Sequence, residues 1–288
     1  MQKRNVLNSP RLTELKKRRR KVVINKILLS LLGLVIVFFL LTYLSCLKNL
    51  NITEIQVTGN EIVDTEEVQT ATREETAGKY LWLFPKTNIL IYPQNSIKDK
   101  LQNKFGRIKN VDLSIENNKT LIINITERVA KYTWCGDTPV VGRPTSESSP
   151  QCFFLDEEGY IFDAAPYFSG EVYFKFFGRP TPEDNFFFKQ NFEQLASFKD
   201  ALVKLGLKPT SLYVASDGDV EINLLSGSSA ITPPKVIFKL DADMQNIKEN
   251  LEAALNTEPL KSDMKKKYST LEYIDLRFGN KVYNKFSK

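Results

Sequence analysis

Hydrophobic and polar positions recur with periods of two or of three to four residues along most of the chain, but one stretch shows no such period. From Ile27 to Leu47 there are 21 consecutive residues without a charge. A helix rises about 1.5 Å per residue, so this length spans the roughly 30 Å hydrocarbon core of a bilayer. A lone segment can satisfy its own backbone groups there only as a helix. The stretch leaves 26 residues on one side and 241 on the other. A cleaved signal peptide has a shorter apolar region and a small-residue cleavage site. A lipoprotein signal ending at Cys46 wants a small aliphatic residue where Tyr43 stands. The segment therefore reads as an uncleaved anchor, with Cys46 an ordinary buried apolar residue.

Beyond the anchor the periods are short and mixed. Ile52, Ile55 and Val57 punctuate a strand that ends at Gly59-Asn60. Asp64 with Glu67 three residues on is a capping box, and the acids of the first turn suit the helix dipole. Val68, Ala71 and Thr72 form that helix's inner face, and Gly78 ends it. After the apolar patch Tyr80 to Phe84, the spacing of Ile97, Leu101 and Phe105 predicts a helix over 96–105. Ile108 to Ile115 and Leu121 to Val129 alternate as strands around the turn Asn117-Asn118-Lys119. Strand, helix, helix, strand, strand is the order of one small α+β domain, assigned to 48–129.

The remainder, 130–288, reads as a β-rich domain with packed helices. Residues 130–153 are rich in Pro, Gly, Ser and Thr and read as a long loop. Phe153 to Phe162 is a hairpin around Asp156-Glu157-Glu158-Gly159, and Val172 to Phe177 is a strand. Phe188, Phe192, Leu195, Phe198, Leu202 and Leu205 predict one apolar stripe on a helix over 186–205, ended by Gly206. Such a stripe is read as core. Leu212 to Val214 and Val220 to Leu225 flank Asp217-Gly218-Asp219, and Val236 to Leu240 is a further strand. Met244, Ile247, Leu251 and Leu255 mark a second helix face, and Lys265-Lys266-Lys267 a solvated turn. Tyr273 to Phe278 puts Ile274, Leu276 and Phe278 on one side and Tyr273, Asp275 and Arg277 on the other. Gly279-Asn280 turns the chain into Lys281 to Phe286, where Val282 and Phe286 share a face. The expected fold class is α+β: one N-terminal transmembrane helix, a small α+β domain, then the β-rich domain.

Charge orients this layout. Residues 1–26 hold ten Lys or Arg and one acid, Glu14, a balance of +9 in a chain whose total is +6. Basic flanks stay cytoplasmic, so the bulk of the chain is expected outside the cytoplasm. The run Lys16 to Lys21 suits anionic headgroups, at about 1 kcal/mol per residue near the surface. Beside a span, that reading outweighs a nucleic-acid one. Cys135 and Cys152 bracket the predicted loop in a compartment where disulfides persist. A bridge between them is a candidate worth about 3 kcal/mol by loop closure, with two free thiols as the alternative. Two Cys without any His make no zinc site, and no metal or cofactor is expected.

Catalysis is not expected either. The chain has no His, which excludes His-based acid–base chemistry and triads. It has no phosphate-binding glycine loop and no nucleophile elbow. The acid pairs Asp217/Asp219 and Glu157/Glu158 sit in turns, where acids are expected for conformational reasons. The sequons at Asn51, Asn118 and Asn124 mean little if the cell is bacterial.

The order of parts and four segments resemble the bacterial cell-division family FtsQ, also called DivIB. Its first extracytoplasmic domain is a POTRA domain. The segments are Val57-x-Gly59-Asn60, Leu101 to Val111, Thr120-Leu121-x-Ile123-x-Ile125-x-Glu127-Arg128, and Tyr273 to Phe278. Val129 departs from the Pro that often follows Glu-Arg in the family. The resemblance implies a bitopic scaffold at the division septum of the inner (plasma) membrane. It also implies partners: coiled-coil proteins of the FtsB/DivIC and FtsL kinds, with FtsK-like and septal wall synthesis proteins as further candidates. The expected partner surface is the last hairpin, with Tyr273, Arg277, Phe278, Val282, Tyr283 and Phe286, and with 282–286 as an edge open to strand pairing. No nucleic acid and no small-molecule substrate is expected. The alternatives are a POTRA-bearing accessory protein of transport or secretion and, more weakly, a single-span receptor for a soluble ligand.

Overall fold

The computed structural model describes residues 10–139, 151–166, 168, 172–180, 185–225 and 233–287. The chain is mixed α/β, with one long apolar N-terminal helix and a β-rich remainder, and it divides into two compact units, Met1–Glu127 and Arg128–Lys288.

The first unit opens with α1, Pro10–Ser45, 36 residues long. It starts well before the apolar run because Lys and Arg are good helix formers and carry the helix through the basic segment. Its apolar part is long enough to cross a membrane, and none of its most apolar stretch is buried within the protein. The helix ends at Ser45, so Cys46 falls on the turn after it, with its side chain uncovered by the rest of the protein. Two amides cap that end. Asn51 Nδ2 donates to the carbonyls of Ser45 at 3.0 Å and Leu47 at 2.8 Å, and the buried Asn88 donates to Ser45 O at 3.0 Å. The last carbonyls of a helix need such partners.

Beyond α1 the unit is a three-stranded sheet with two helices. β1 (Glu54–Thr58) is followed by α2 (Thr65–Thr76), a small hairpin of the short strands β2 (Lys79–Tyr80) and β3 (Phe84–Pro85), α3 (Gln94–Lys104), β4 (Ile108–Glu116) and β5 (Thr120–Glu127). The sheet order is β1-β5-β4, with β1 parallel and β4 antiparallel to β5. Val68 and Ala71 of α2, Ile97 and Leu101 of α3, Val111 of β4 and the alternate residues Leu121, Ile123 and Ile125 of β5 form its core. As expected, Asp64 caps α2, accepting from Glu67 N at 3.0 Å. Gly59 has φ +78°, and a Cβ there would come within 2.3 Å of the Ile125 carbonyl oxygen. Only glycine lets β1 end this close to β5.

Glu127 closes the same corner. Its carboxylate accepts from three successive backbone N–H groups, Glu61 at 2.8 Å, Ile62 at 3.0 Å and Val63 at 2.9 Å. Partial burial by itself would raise this carboxyl. The three donors, with the Arg107 charge nearby, outweigh burial and hold it below the usual Glu value.

The second unit is built on one nine-stranded mixed sheet. Its strands are β6 (Tyr132–Trp134), β7 (Cys152–Leu155), β8 (Ile161–Ala165), β9 (Phe174–Phe177), β10 (Pro209–Val214), β11 (Asp219–Leu224), β12 (Lys235–Lys239), β13 (Leu271–Phe278) and β14 (Lys281–Phe286), in the order β14-β13-β12-β11-β10-β9-β6-β7-β8. β6 lies inside the stretch read as loop. Three residues are too few for a period, and only its neighbours β9 and β7 make it a strand. Residues 140–150 of that stretch lie outside the described residues. Cys135 and Cys152 are joined by a disulfide next to the β6–β7 ladder, buried against Phe177.

Helix α4 (Phe192–Lys204) buries Phe192, Leu195, Phe198 and Leu202 as its stripe predicts. It starts six residues later than expected, because Phe186 bridges to Tyr160 and Phe187 is packed off the helix. Phe188 therefore flanks the core from a turn rather than from the helical stripe. Helix α5 (Met244–Asn256) packs against β13 and β14 and buries Ile247 and Leu251. Lys265 and Lys266 lie in the last turn of a short helix, α6 (Leu260–Lys266), rather than in a turn. The core joins α4 and α5 to Leu212, Val220, Ile222, Val236, Phe238, Ile274 and Leu276 on one face of the sheet.

Candidate functional site

The other face of that sheet is polar at the C-terminal hairpin, and the alternation of the strands explains it. Where Val220, Ile222, Val236, Phe238, Ile274 and Leu276 point to the helices, their neighbours point away. Asp219 and Glu221 of β11, Lys235 and Lys239 of β12, and Tyr273, Asp275 and Arg277 of β13 share the outward face, around the buried apolar residue Ile237 of β12. They are joined by charge. Lys235 Nζ meets Glu221 at 2.7 Å and Lys239 Nζ meets Asp219 at 2.5 Å. Arg277 donates from Nε and one terminal nitrogen to the two oxygens of Asp275 at 2.9 and 2.6 Å, and from the other terminal nitrogen to Asp219 at 2.6 Å.

These contacts shift the titrations. The Lys239 ammonium lowers the Asp219 carboxyl; burial opposes it, and Arg277 adds to the lowering. Asp275 and then Asp219 raise the Arg277 guanidinium against the opposing cost of burial. Asp275 itself is only 5% exposed.

β14 lies at one end of the sheet and pairs with β13 antiparallel: Tyr283 opposite Asp275, Asn284 opposite Ile274, Lys285 opposite Tyr273. Residues opposite each other share a face. Tyr283, Lys285 and Lys281 therefore extend the polar face, and Lys285 is paired with Glu272 at 2.6 Å. Val282 and Phe286 turn to the other face and pack against the helix-covered core. A strand with one neighbour leaves alternate N–H and C=O groups pointing away from the sheet, where a further strand can bind.

The six residues expected to bind a partner thus fall into three groups. Tyr273, Arg277 and Tyr283 come together on the polar face. Phe278 does not join Ile274 and Leu276 in the core as the alternation predicts. The register shifts between Asp275 and Phe278, and such a bulge re-aims the strand end, leaving Phe278 55% exposed with its ring edge-on to Tyr283 at 5.2 Å. Val282 and Phe286 are partly buried and hold the hairpin to the core, so they offer a partner chiefly their backbone. Arg277 is committed to two carboxylates, Asp275 on its own strand and Asp219 on β11.

Sequence reasoning missed Asp219 and Lys239, reading Asp219 as a turn acid. Alternation of Asp219, Glu221 and Asn223 with Val220, Ile222 and Leu224 is visible in the sequence, but the partner 58 positions away in Arg277 is not. Compared with known proteins, the chain matches no family model and no curated protein.

Proposed function

We propose that this chain is a bitopic membrane scaffold. In this reading α1 is a single membrane span with its basic end on anionic lipid in the cytoplasm, and both units lie on the far side. The particular scaffold is then an FtsQ/DivIB-like division protein of the inner membrane at the septum, with 48–129 its POTRA-type domain. The β-rich unit recruits FtsB/DivIC-like and FtsL-like coiled-coil proteins, and through them helps to control septal wall synthesis. In this reading the chain carries no catalytic step of its own.

The observation that carries this reading is β14. Among the described residues it ends the sheet as an edge strand, with the aromatic pair Phe278 and Tyr283 exposed beside it. Addition of a partner strand to such an edge takes affinity from the main chain and specificity from side chains flanking it. The test is photo-crosslinking in living cells from exposed position 283, with the captured protein identified by mass spectrometry. Capture of a small single-span coiled-coil division protein is the expected result. Capture of a transport or secretion component would move the chain to that class. No capture from 283 or from 281 would remove β14 as the docking edge.

A further inference from the structure

The β2–β3 hairpin carries apolar side chains that the fold does not use. Leu81 and Trp82 form its tip and are 78% and 92% exposed. Both have positive φ, +49° and +61°. A turn of this kind favours Asn and Gly, and a left-handed residue with a bulky side chain costs about 1–2 kcal/mol. Two large apolar residues thus occupy a strained turn and, among the described residues, gain little protein contact that would offset it. Leu90, 78% exposed, and Ile91 add a second apolar loop from the same unit.

Both loops are tied to the end of α1. The Phe84 ring at the foot of the hairpin packs edge-on against Phe38 at 5.7 Å. Phe38 lies seven residues before the last residue of α1, Ser45, or roughly 10 Å along the axis. Phe84 therefore lies beside the apolar helix itself, inward of its end. Cys46 Sγ lies 3.9 Å from the Leu83 carbonyl oxygen, and Asn88, two residues before Leu90, donates to Ser45 O. Charge fits the same placement. Residues 77–98 contain three Lys and no acid, and two of these, Lys79 and Lys86, flank the apolar tip. An aromatic and aliphatic tip between cations is the composition that settles at a membrane–water interface, rings among the headgroups and ammonium groups toward the phosphates.

From these observations we infer that the hairpin tip Leu81–Trp82, with Leu90 and Ile91, is seated in the outer leaflet beside α1, a second lipid contact that fixes the first unit on the bilayer surface. The inference rests on α1 being a membrane span. It explains why a strained turn is built from Leu and Trp.

The test uses the full chain in vesicles of phosphatidylcholine and phosphatidylglycerol, with the phosphatidylcholine either unlabelled or brominated high on one acyl chain. Subtracting the emission of Trp82→Phe from that of the unchanged chain isolates Trp82. Because this side chain is almost fully exposed, the substitution leaves the fold intact. The expected result is blue-shifted Trp82 emission, quenched roughly twofold by the brominated lipid, as for an interfacial indole. Unshifted, unquenched emission from a chain that resists alkaline carbonate extraction overturns the inference and leaves the span reading standing. A blue shift without bromine quenching means that protein covers the tip, and overturns the lipid assignment. Release of the chain by carbonate overturns the span reading and this inference with it.

Discussion

The Arg277 guanidinium reaches Asp219 at 2.6 Å from a strand two places away in the sheet, passing the β12 strand whose Lys239 holds the same carboxylate at 2.5 Å. One carboxylate thus joins three strands at the end of the sheet that carries the proposed docking edge. Arg277→Ala leaves Asp275 buried without its bidentate partner, and Asp219 with Lys239 alone. The expected loss is about 2 kcal/mol, reduced from that of a fully buried pair because Arg277 is partly exposed. Arg277→Lys keeps the charge but not the fork, and should recover less than half of the loss. Denaturant unfolding of the full chain in detergent measures both. Equal stability of Arg277→Ala and the unchanged chain would show that the network does not brace the sheet.

Acid should destabilise both units through named carboxylates. Asp219 and Glu127 are each held below their ordinary values. Between the depressed and the ordinary value the unfolded chain binds more protons than the folded one, so stability rises with pH there. Their contribution is fully present above about pH 5 and is lost as pH falls through about 4 and below. Glu127→Gln and Asp219→Asn should each lower stability at neutral pH and flatten the acid limb of the profile, in thermal melts taken at several pH values. An acid limb unchanged in both variants would rule these groups out as its source.

The Cys135–Cys152 bridge closes a loop with a sequence separation of 17. Cys135→Ala with Cys152→Ala should cost about 3 kcal/mol, since the bridge limits the freedom of the unfolded chain. Unfolding with and without reductant should shift the unchanged chain by a similar amount and leave the double variant unmoved. A chain indifferent to reductant would show that the bridge adds no stability.

Tyr283 and Phe286 are three residues apart on one strand and should behave differently. Tyr283 lies on the open face and Phe286 packs against the core. Tyr283→Ala should stay within about 0.5 kcal/mol of the unchanged chain yet reduce partner capture. Phe286→Ala should cost roughly 2 kcal/mol, because a partly buried ring loses its packing. Pull-down of the crosslinked partner beside denaturant unfolding reads both effects. A Tyr283→Ala chain that captures its partner normally would confine recognition to the backbone of β14.

Local pattern by itself determined much of this protein. An uncharged run of 21 residues demands a helix long enough to cross a bilayer, whatever follows it. The Asp64 cap, the stripes of α4 and α5 and the alternation of β5, β11 and β13 each follow from a period or a turn residue within a dozen positions. Elements without such a local signal were decided by tertiary contacts. β6 is a strand because β9 and β7 flank it. The start of α4 is set by Phe186 and Phe187, which are drawn to partners off the helix. Phe278 leaves the core because a bulge turns it out. Arg277 braces the sheet because a strand two places away supplies Asp219. Periodicity reports which face of an element is apolar. Which element lies beside it, and therefore which charges meet and which edge stays open, depends on contacts between residues far apart in the chain.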